Sequence, residues 1–569
     1  MIIPRVKKEI YPGGRIIIGS TLKVWAENEV SERVLGAIKV LFASSGIGID
    51  KAKCRDVAVL TLVKDDSLVR CEEYRLTVGK GKIKLVFGSF LGGRNGAATL
   101  LQLLRCDEGV YSAIETEISD WADNRFRGLM VDPARCFIPV AELKDIMLRM
   151  AKAKMNTIHL HLMDNKAYTL ESKHFPQLND AEFGYYTADD AKEIVSYGLS
   201  IGIDCLPELE LTTHANLLTE KVPGLMCETE SVKPNGWAMC VGSPTFYYTV
   251  AVLVGEMAEL FPYPVLHIGT DEITMYDLEG IWPDWYDCKH CHALAERLGV
   301  RLSTAEEVAA RQKEGTFKEK GIDGVNQLFI HTIHNIHKVV TAAGKRMMMW
   351  NDNIDIGKPT DLPRDILIHF WRVAAPYRGP REGCSMSAFL EAGFEVINSH
   401  YPQTYIEMDS YRPEVPLNTW APHVYPPSKP EHASAILGGE PCAWGGNISH
   451  FAYTLPGATA FYADRLWDER PWVYESEFSL AASRLILGVK VPEDFDVFAA
   501  LGGFFLPRDK EYAGRTAPIR KAYVDRITLS PAGVKAVSDK LKELAEDNSA
   551  EGRIAGIFAG CADWALERM

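Results

Sequence analysis

The sequence predicts an α/β protein: a (β/α)8 TIM barrel with a small N-terminal α+β domain before it and a helical C-terminal extension after it. Three observations carry this expectation. Eight short apolar runs recur between residues 127 and 444, separated by helical or loop segments; eight such units over about 340 residues suit a barrel with insertions. Two of the intervening segments, PVAELKDIMLRMAKAKM and TADDAKEIVSYGLSIG, repeat apolar residues at i, i+3 and i+4, as helices do when one face packs on a sheet. The first run leads into VDPARCF, which lacks the phosphate-binding glycine turn that an open doubly wound sheet usually brings.

In chain order, residues 1–122 alternate strand-like runs (RIIIGSTLKVWA, VAVLTLV, EYRLTVGKGKIKLVFG) with turn residues and then give the amphipathic GRNGAATLLQLLRC. That is the pattern of a small α+β domain. It holds no convergent acidic or nucleophilic cluster, so it reads as a packing or folding domain. Residues 123–470 form the barrel, with strands expected at 127–132 (RGLMVD), 157–164 (TIHLHLMD), 203–210 (IDCLPELE) and 265–272 (VLHIGTDE). Four more follow at 346–352 (RMMMWND), 365–372 (DILIHFWR), 394–400 (FEVINSH) and 436–444 (ILGGEPCAW). Residues 471–569 contain EFSLAASRLILG and PAGVKAVSDKLKELAED, which read as helices packing on the barrel.

Composition narrows the function. Hydrophobic residues at 47% and charged residues at 24% are those of a folded globular protein, and no apolar run approaches the roughly 20 residues that span a bilayer. A net charge of -14 argues against nucleic acid, which needs a basic footprint, and suits a neutral or weakly charged substrate. The N-terminal MIIPRVKKEIYPGG lacks the order of basic stretch, apolar core and small-residue cleavage site of a secretory signal. A cytoplasmic location is expected, unless a leader has been removed. Oligomeric state is not legible.

Twelve cysteines are scattered along the chain, with Cys205 and Cys442 inside apolar runs, which suits buried free thiols better than a disulfide framework. Cys288-Lys-His-Cys291-His292 has the C-x-x-C-H spacing of haem attachment and half the ligands of a zinc site. With no second C-x-x-C in the sequence, the expected reading is paired thiols of a surface loop, with no metal and no cofactor.

The chemistry is expected at the strand ends. Asp132, Asp164, Glu208, Glu210, Asp271, Glu272, Trp350, Asp352, Trp371, His400 and Trp444 all fall at or just past them, and that face of a TIM barrel carries the active site. Carboxylates and tryptophans converging on one mouth suggest a carbohydrate, whose rings offer apolar faces to indole and hydroxyl edges to carboxylates. In HIGTDE, Gly269 lets the backbone bend and two carboxyls follow. Because neighbours on a regular strand point to opposite faces, Asp271 and Glu272 serve one substrate only where the strand breaks. Like charges held close raise one pKa, which would keep a carboxyl protonated as a general acid.

The segments RGLMVDPARCF, MNTIHLHLMDN, HIGTDE and GGEPCAWG resemble, in order and spacing, the β-N-acetylhexosaminidases of glycoside hydrolase family 20. The resemblance covers the barrel to about Trp467 and extends to EEYRLTVGKGKIKLVFGSFLGGRNGAATLLQLL, similar to that family's accessory domain. It implies a substrate-assisted retaining mechanism, an exception to the two-carboxylate scheme. Glu272 would be the acid/base; Asp271 would accept the N–H of the substrate's 2-acetamido group while its oxygen attacks C1; Tyr405 would donate to that oxygen. Trp350, Trp371 and Trp444 would wall the pocket, Arg135 in D-x-x-R-x-F would bind the 3- and 4-hydroxyls, and Asp164 with His214 would tune the acid/base. Asp352 and Glu407 complete the expected substrate contacts.

Several positions depart from the family pattern. Thr212-Thr213-His214 replaces P-G-H, Asp164-Asn165 replaces D-D, Glu407 stands where an aspartate is usual, and Gly446 replaces the glutamate that contacts the 4-hydroxyl. The last leaves the choice between gluco and galacto sugars open. The expected function is removal of terminal β-linked GlcNAc or GalNAc from a glycan or amino-sugar oligosaccharide. Its rivals are an inactive carbohydrate-binding relative and a metal-dependent hydrolase using the same rim carboxylates.

Overall fold

Eight parallel strands close on themselves in sequence order. They are β1 (Phe126–Val131), β2 (Thr157–His161), β3 (Asp204–Glu208), β4 (Val265–His267), β5 (Arg346–Trp350), β6 (Leu367–Phe370), β7 (Glu395–Asn398) and β8 (Ile436–Gly439). Closure is made by β8 against β1, with Phe126 opposite Gly438 and Arg127 opposite Gly439. The computed structural model describes every residue except 274–282, 317–321, 352–361, 373–384, 407–419, 425–427, 446–447, 472–474, 493, 502–526 and 568. All eight expected runs are strands, but most are shorter at their C-terminal ends than the apolar pattern suggests. The eighth is interrupted at Glu440-Pro441, and Cys442–Ala443 then resumes pairing with Met130 and Val131 of β1.

The strands are buried on both faces, so their alternation separates a helix-facing set from a lumen-facing set. In β2, Ile158 and Leu160 join the main apolar core, while His159 and His161 turn inward. At one end, Phe126, Leu206, Val265, Met348, Leu367 and Ile397 plug the lumen with an apolar layer. At the other, Met130, Trp350, Tyr405 and Cys442 pack together, with Trp371 and Trp444 against them.

The surrounding helices follow from local signals. Ala188–Ile201 opens on a Thr187–Asp190 capping box and stops at Gly202, whose φ of 73° is left-handed. Val140–Lys152 buries Leu143, Ile146, Met147 and Met150, each contributing about 1.5–3 kcal/mol. The N-terminal domain is a seven-stranded sheet with a separate three-stranded one. Its helices Glu29–Leu41 and Phe90–Leu103 pack between the large sheet and the barrel helices. Arg94, fully buried, donates across this junction to the carbonyls of Ala151 at 2.7 Å and Met155 at 2.8 Å. At the C-terminus, Ala550–Leu566 packs on the barrel helix Ile448–Trp467, and Arg553 grips Asp145 at 2.6 and 2.7 Å. Among the described residues, no helix is long and apolar enough to cross a membrane.

Candidate active site

At the end of β4 the backbone turns left-handed. Gly269, Thr270 and Glu272 have φ of 61°, 74° and 50°, and residues in that region cannot continue a strand. This is why β4 stops at His267 rather than at the expected 272, and it brings both carboxyls to one side. Asp271 Oδ2 and Glu272 Oε2 each lie 3.5 Å from His214 Nε2. The glycine is required: a Cβ on Gly269 would sit 1.9 Å from Glu210 Oε2, which accepts the Thr270 N–H at 3.0 Å. Two neighbours hold the turn from outside. Thr213 Oγ1 donates to the Asp271 carbonyl at 2.6 Å, and Trp237 Nε1 donates to the Glu272 carbonyl at 3.0 Å.

A relay of alternating charge runs from the first strand to this pair. Asp132 accepts the Arg135 N–H at 3.0 Å and its Nη1 at 2.8 Å; Arg135 Nη2 meets Asp164 Oδ2 at 2.7 Å; Asp164 Oδ2 lies 3.4 Å from His214 Nδ1. Burial opposes the charge on His214, but Asp271 and Asp164 outweigh it and hold the imidazole well above its usual range. Burial likewise opposes ionisation of Asp164, yet Arg135 and His214 hold it well below the usual carboxylate range. Among these neighbours Glu210 is held well above the usual carboxylate range, by complete burial first and then by Asp271 and Glu208.

Across the mouth stands an aromatic wall. The Tyr405 and Trp371 rings are stacked with centroids 5.9 Å apart and planes 10° apart; Trp444 meets Tyr405 at 5.7 Å and Trp350 at 5.9 Å. Tyr405 is placed by the short helix Tyr401–Thr404 after β7 and by the Ile406 N–H bonded to Cys442 O at 2.8 Å. Trp371 and Trp444 are partly exposed, whereas Trp350 is only 1% exposed. Trp350 is therefore the floor rather than a side: its Nε1 donates to Glu208 Oε1 at 2.8 Å and its ring stacks on His369 at 3.9 Å. The Arg135 guanidinium lies 4.9 Å over Trp444, so it is both the structural ion pair and a rim group beside the pocket.

Beneath this floor lies a polar layer that sequence reasoning missed. Glu208 holds His161 Nδ1 at 2.5 Å, His267 Nδ1 at 2.9 Å and His159 Nε2 at 3.2 Å; Glu440 holds His159 Nδ1 at 2.8 Å and His369 Nε2 at 3.1 Å. Against burial, Glu440 and Glu208 raise His159 to about 9, while burial pushes His267 down. His161 Nε2 reaches Asp164 at 3.1 Å, joining this layer to the relay. The sequence shows no paired histidines in the barrel mouth; the lumen below it brings His159, His267 and His369 together.

Glu272, Asp271, Tyr405, Asp164, His214, Arg135, Trp371, Trp444 and Trp350 thus converge as a set. Asp352, Glu407 and the departure at Gly446 lie outside the described residues. Trp237, packed 4.4 Å from His214, was not anticipated, because a lone tryptophan in PNGWAMC carries no period or motif. The surface-loop reading of Cys288 and Cys291 is corrected: both are fully buried, since Cys288 caps the helix Lys289–Arg297 under the loop after β3. His292 donates its Nε2–H to the Tyr286 carbonyl at 2.7 Å, which occupies the nitrogen a haem ligand would need. Cys205 and Cys442 are buried free thiols as expected.

A closed parallel barrel with this acidic and aromatic mouth defines a glycoside hydrolase. The chain belongs to glycosyl hydrolase family 20: residues 125–470 match the family's catalytic domain and residues 1–121 its domain 2. A beta-hexosaminidase of Vibrio furnissii is 26% identical over 376 residues, which is 61% of this chain and 55% of that protein. Beta-hexosaminidase subunit alpha of Bos taurus is 26% identical over 416 residues, 71% of this chain and 72% of the subunit. The fold is also that of the exo beta-N-acetylglucosaminidase of Vibrio harveyi solved with N-acetylglucosamine. That structure has a TM-score of 0.70 and 21% identity, covering 85% of this chain and 76% of its own.

Proposed function

We propose that the protein is an exo-acting β-N-acetylhexosaminidase that removes terminal, non-reducing β-linked GlcNAc or GalNAc with retention of configuration. The observation that carries this reading is the Asp271–Glu272 pair on the β4 turn, both 3.5 Å from His214, at the barrel end that also carries Trp371, Tyr405 and Trp444. Glu272 protonates the glycosidic oxygen and later takes a proton from water. Asp271 accepts the acetamido N–H as the amide oxygen closes on C1, stabilising the charge that develops there, and Tyr405 donates to that oxygen. Arg135, Asp352 and Glu407 read sugar hydroxyls, and the indoles pack on the ring and the acetamido methyl. The free thiols among the described residues support a reducing, cytoplasmic setting.

Chromogenic β-GlcNAc, β-GalNAc and β-glucoside substrates test the proposal. Only the first two are expected to turn over, with the β-anomer formed first. Glu272→Gln should lose about 10² to 10⁴ in kcat on leaving groups that need protonation. Equal turnover of the glucoside would defeat the acetamide mechanism. Because His214, Asp271 and Glu272 bring ligand-type atoms within 4.8 Å of one another, a chelator belongs in the assay, and activity unchanged by it separates this reading from a metal-dependent hydrolase.

A further inference from the structure

The loop after β3 meets the first turn of the helix Lys289–Arg297, whose N-cap is Cys288. Cys227 and Cys240 come from the first, Cys288 and Cys291 from the second, and all four are buried. Their sulfurs all lie within 4.8 Å of one another. Cys240 Sγ is 3.6 Å from Cys288 Sγ and 3.9 Å from Cys291 Sγ, so no pair is singled out as a disulfide would require. A zinc ion with four Zn–S bonds of about 2.3 Å sets its sulfurs about 3.8 Å apart at the corners of a tetrahedron. The observed separations bracket that value.

We propose that Cys227, Cys240, Cys288 and Cys291 form a structural zinc(II) site that staples the loop after β3 to the segment entering the helix Lys289–Arg297. Four thiolates and no oxygen or imidazole donor select zinc over harder cations, and with all four positions filled by protein the ion is closed to substrate. Binding deprotonates whichever of the four are thiols and releases those protons to solvent.

The backbone around the sulfurs is built for close approach. Thr229 and Cys288 form an antiparallel bridge, the Trp285 Nε1–H donates to Met239 O at 2.9 Å, and a Cβ on Gly242 would sit 2.2 Å from the His290 carbonyl oxygen. Between Cys227 and Cys240 lies Trp237, which holds the Glu272 carbonyl, and the Met239 N–H bonds Thr212 O at 2.7 Å, next to His214. The staple thus supports the acid/base from behind. The site stands on the sulfurs alone and does not depend on the glycosidase reading.

Metal analysis of the full wild-type chain, purified without chelator, should find about one zinc per chain, with an X-ray absorption shell of four sulfurs at about 2.3 Å. Cys288→Ser/Cys291→Ser and Cys227→Ser/Cys240→Ser should lose the zinc, whereas Cys561→Ser, in the last helix, should keep it. Substoichiometric zinc in the wild type, iron in its place, nitrogen or oxygen in the shell, or Cys240 recovered in a disulfide from a non-reducing digest would each overturn the assignment. Because the primary readout is made on the wild type, a variant that fails to fold does not shield the proposal.

Discussion

Gly269→Ala is the smallest change that tests how the carboxyl pair is presented. At φ of 61° a residue with a Cβ costs about 1–2 kcal/mol more than glycine. The new methyl would also fall 1.9 Å from Glu210 Oε2, so the carboxyl must retreat by roughly 1.5 Å to reach van der Waals contact. Glu210 is fully buried and accepts the Thr270 N–H; breaking that bond leaves a buried donor unpaired, at about 1–3 kcal/mol. The sum is a destabilisation of about 2–5 kcal/mol, read as a melting temperature lower by several degrees in thermal denaturation. Because Asp271 and Glu272 ride on the same turn, a displacement near 1 Å should also lower kcat/KM by about 10²-fold. The double variant Gly269→Ala/Glu210→Ala removes the obstacle and should recover part of the stability lost by Gly269→Ala, a coupling that only contact explains. A Gly269→Ala protein that melts and turns over like wild type would refute this account of the turn.

Two pH-dependent predictions follow from the relay. His214 is raised in the folded state, so its ionic contribution is complete below about pH 6.5 and is lost as pH rises through the raised value; the stability gap between wild type and His214→Gln should be widest near pH 6 and narrow toward alkaline pH. An unchanging gap would mean that His214 is not charged in the fold. Glu210 is raised for the opposite reason, burial beside Asp271 and Glu208, so its contribution is full below about pH 4.3 and falls as pH rises toward the folded value. Denaturant unfolding of Glu210→Gln should therefore show its largest relative gain over wild type at alkaline pH, and a loss there would show that Glu210 is ionised and paired instead.

The barrel was legible because each strand alternates toward a helix layer whose demands are local: Ile158 and Leu160 of β2 must be apolar whatever the lumen holds. Strand ends were less legible. Gly269 signals a bend in HIGTDE, but nothing in the residue types announces that Thr270, Glu272, Thr212 and His214 adopt positive φ. Those conformations are paid for by tertiary contacts, such as the Thr213 and Trp237 bonds to the carbonyls of Asp271 and Glu272. The four-sulfur cluster was illegible for the same reason. Cys288 and Cys291 form half a motif in sequence, and only the fold brings Cys227 and Cys240 to it.

The ionic layer in the lumen shows where a sequence signal existed and what it lacked. His159 and His161 are two apart on a strand, so they must share a face, and apolar neighbours on the other face mark theirs as inward. What a single strand cannot supply is the partner. A buried imidazole is costly unless a carboxylate from another strand meets it, and here Glu208 comes from β3 and Glu440 from just past β8. Once those partners are present, the layer does more than satisfy its members. Glu208 fixes the Trp350 floor with one oxygen and His161 with the other, and His161 in turn holds Asp164, which faces His214. Pocket floor and acid/base support therefore share a single buried carboxylate. Cutting it as Glu208→Gln would strip the charge that His161 and His159 both lean on, so the cost would appear at Trp350 and at His214 together, which no reading of either strand alone implies.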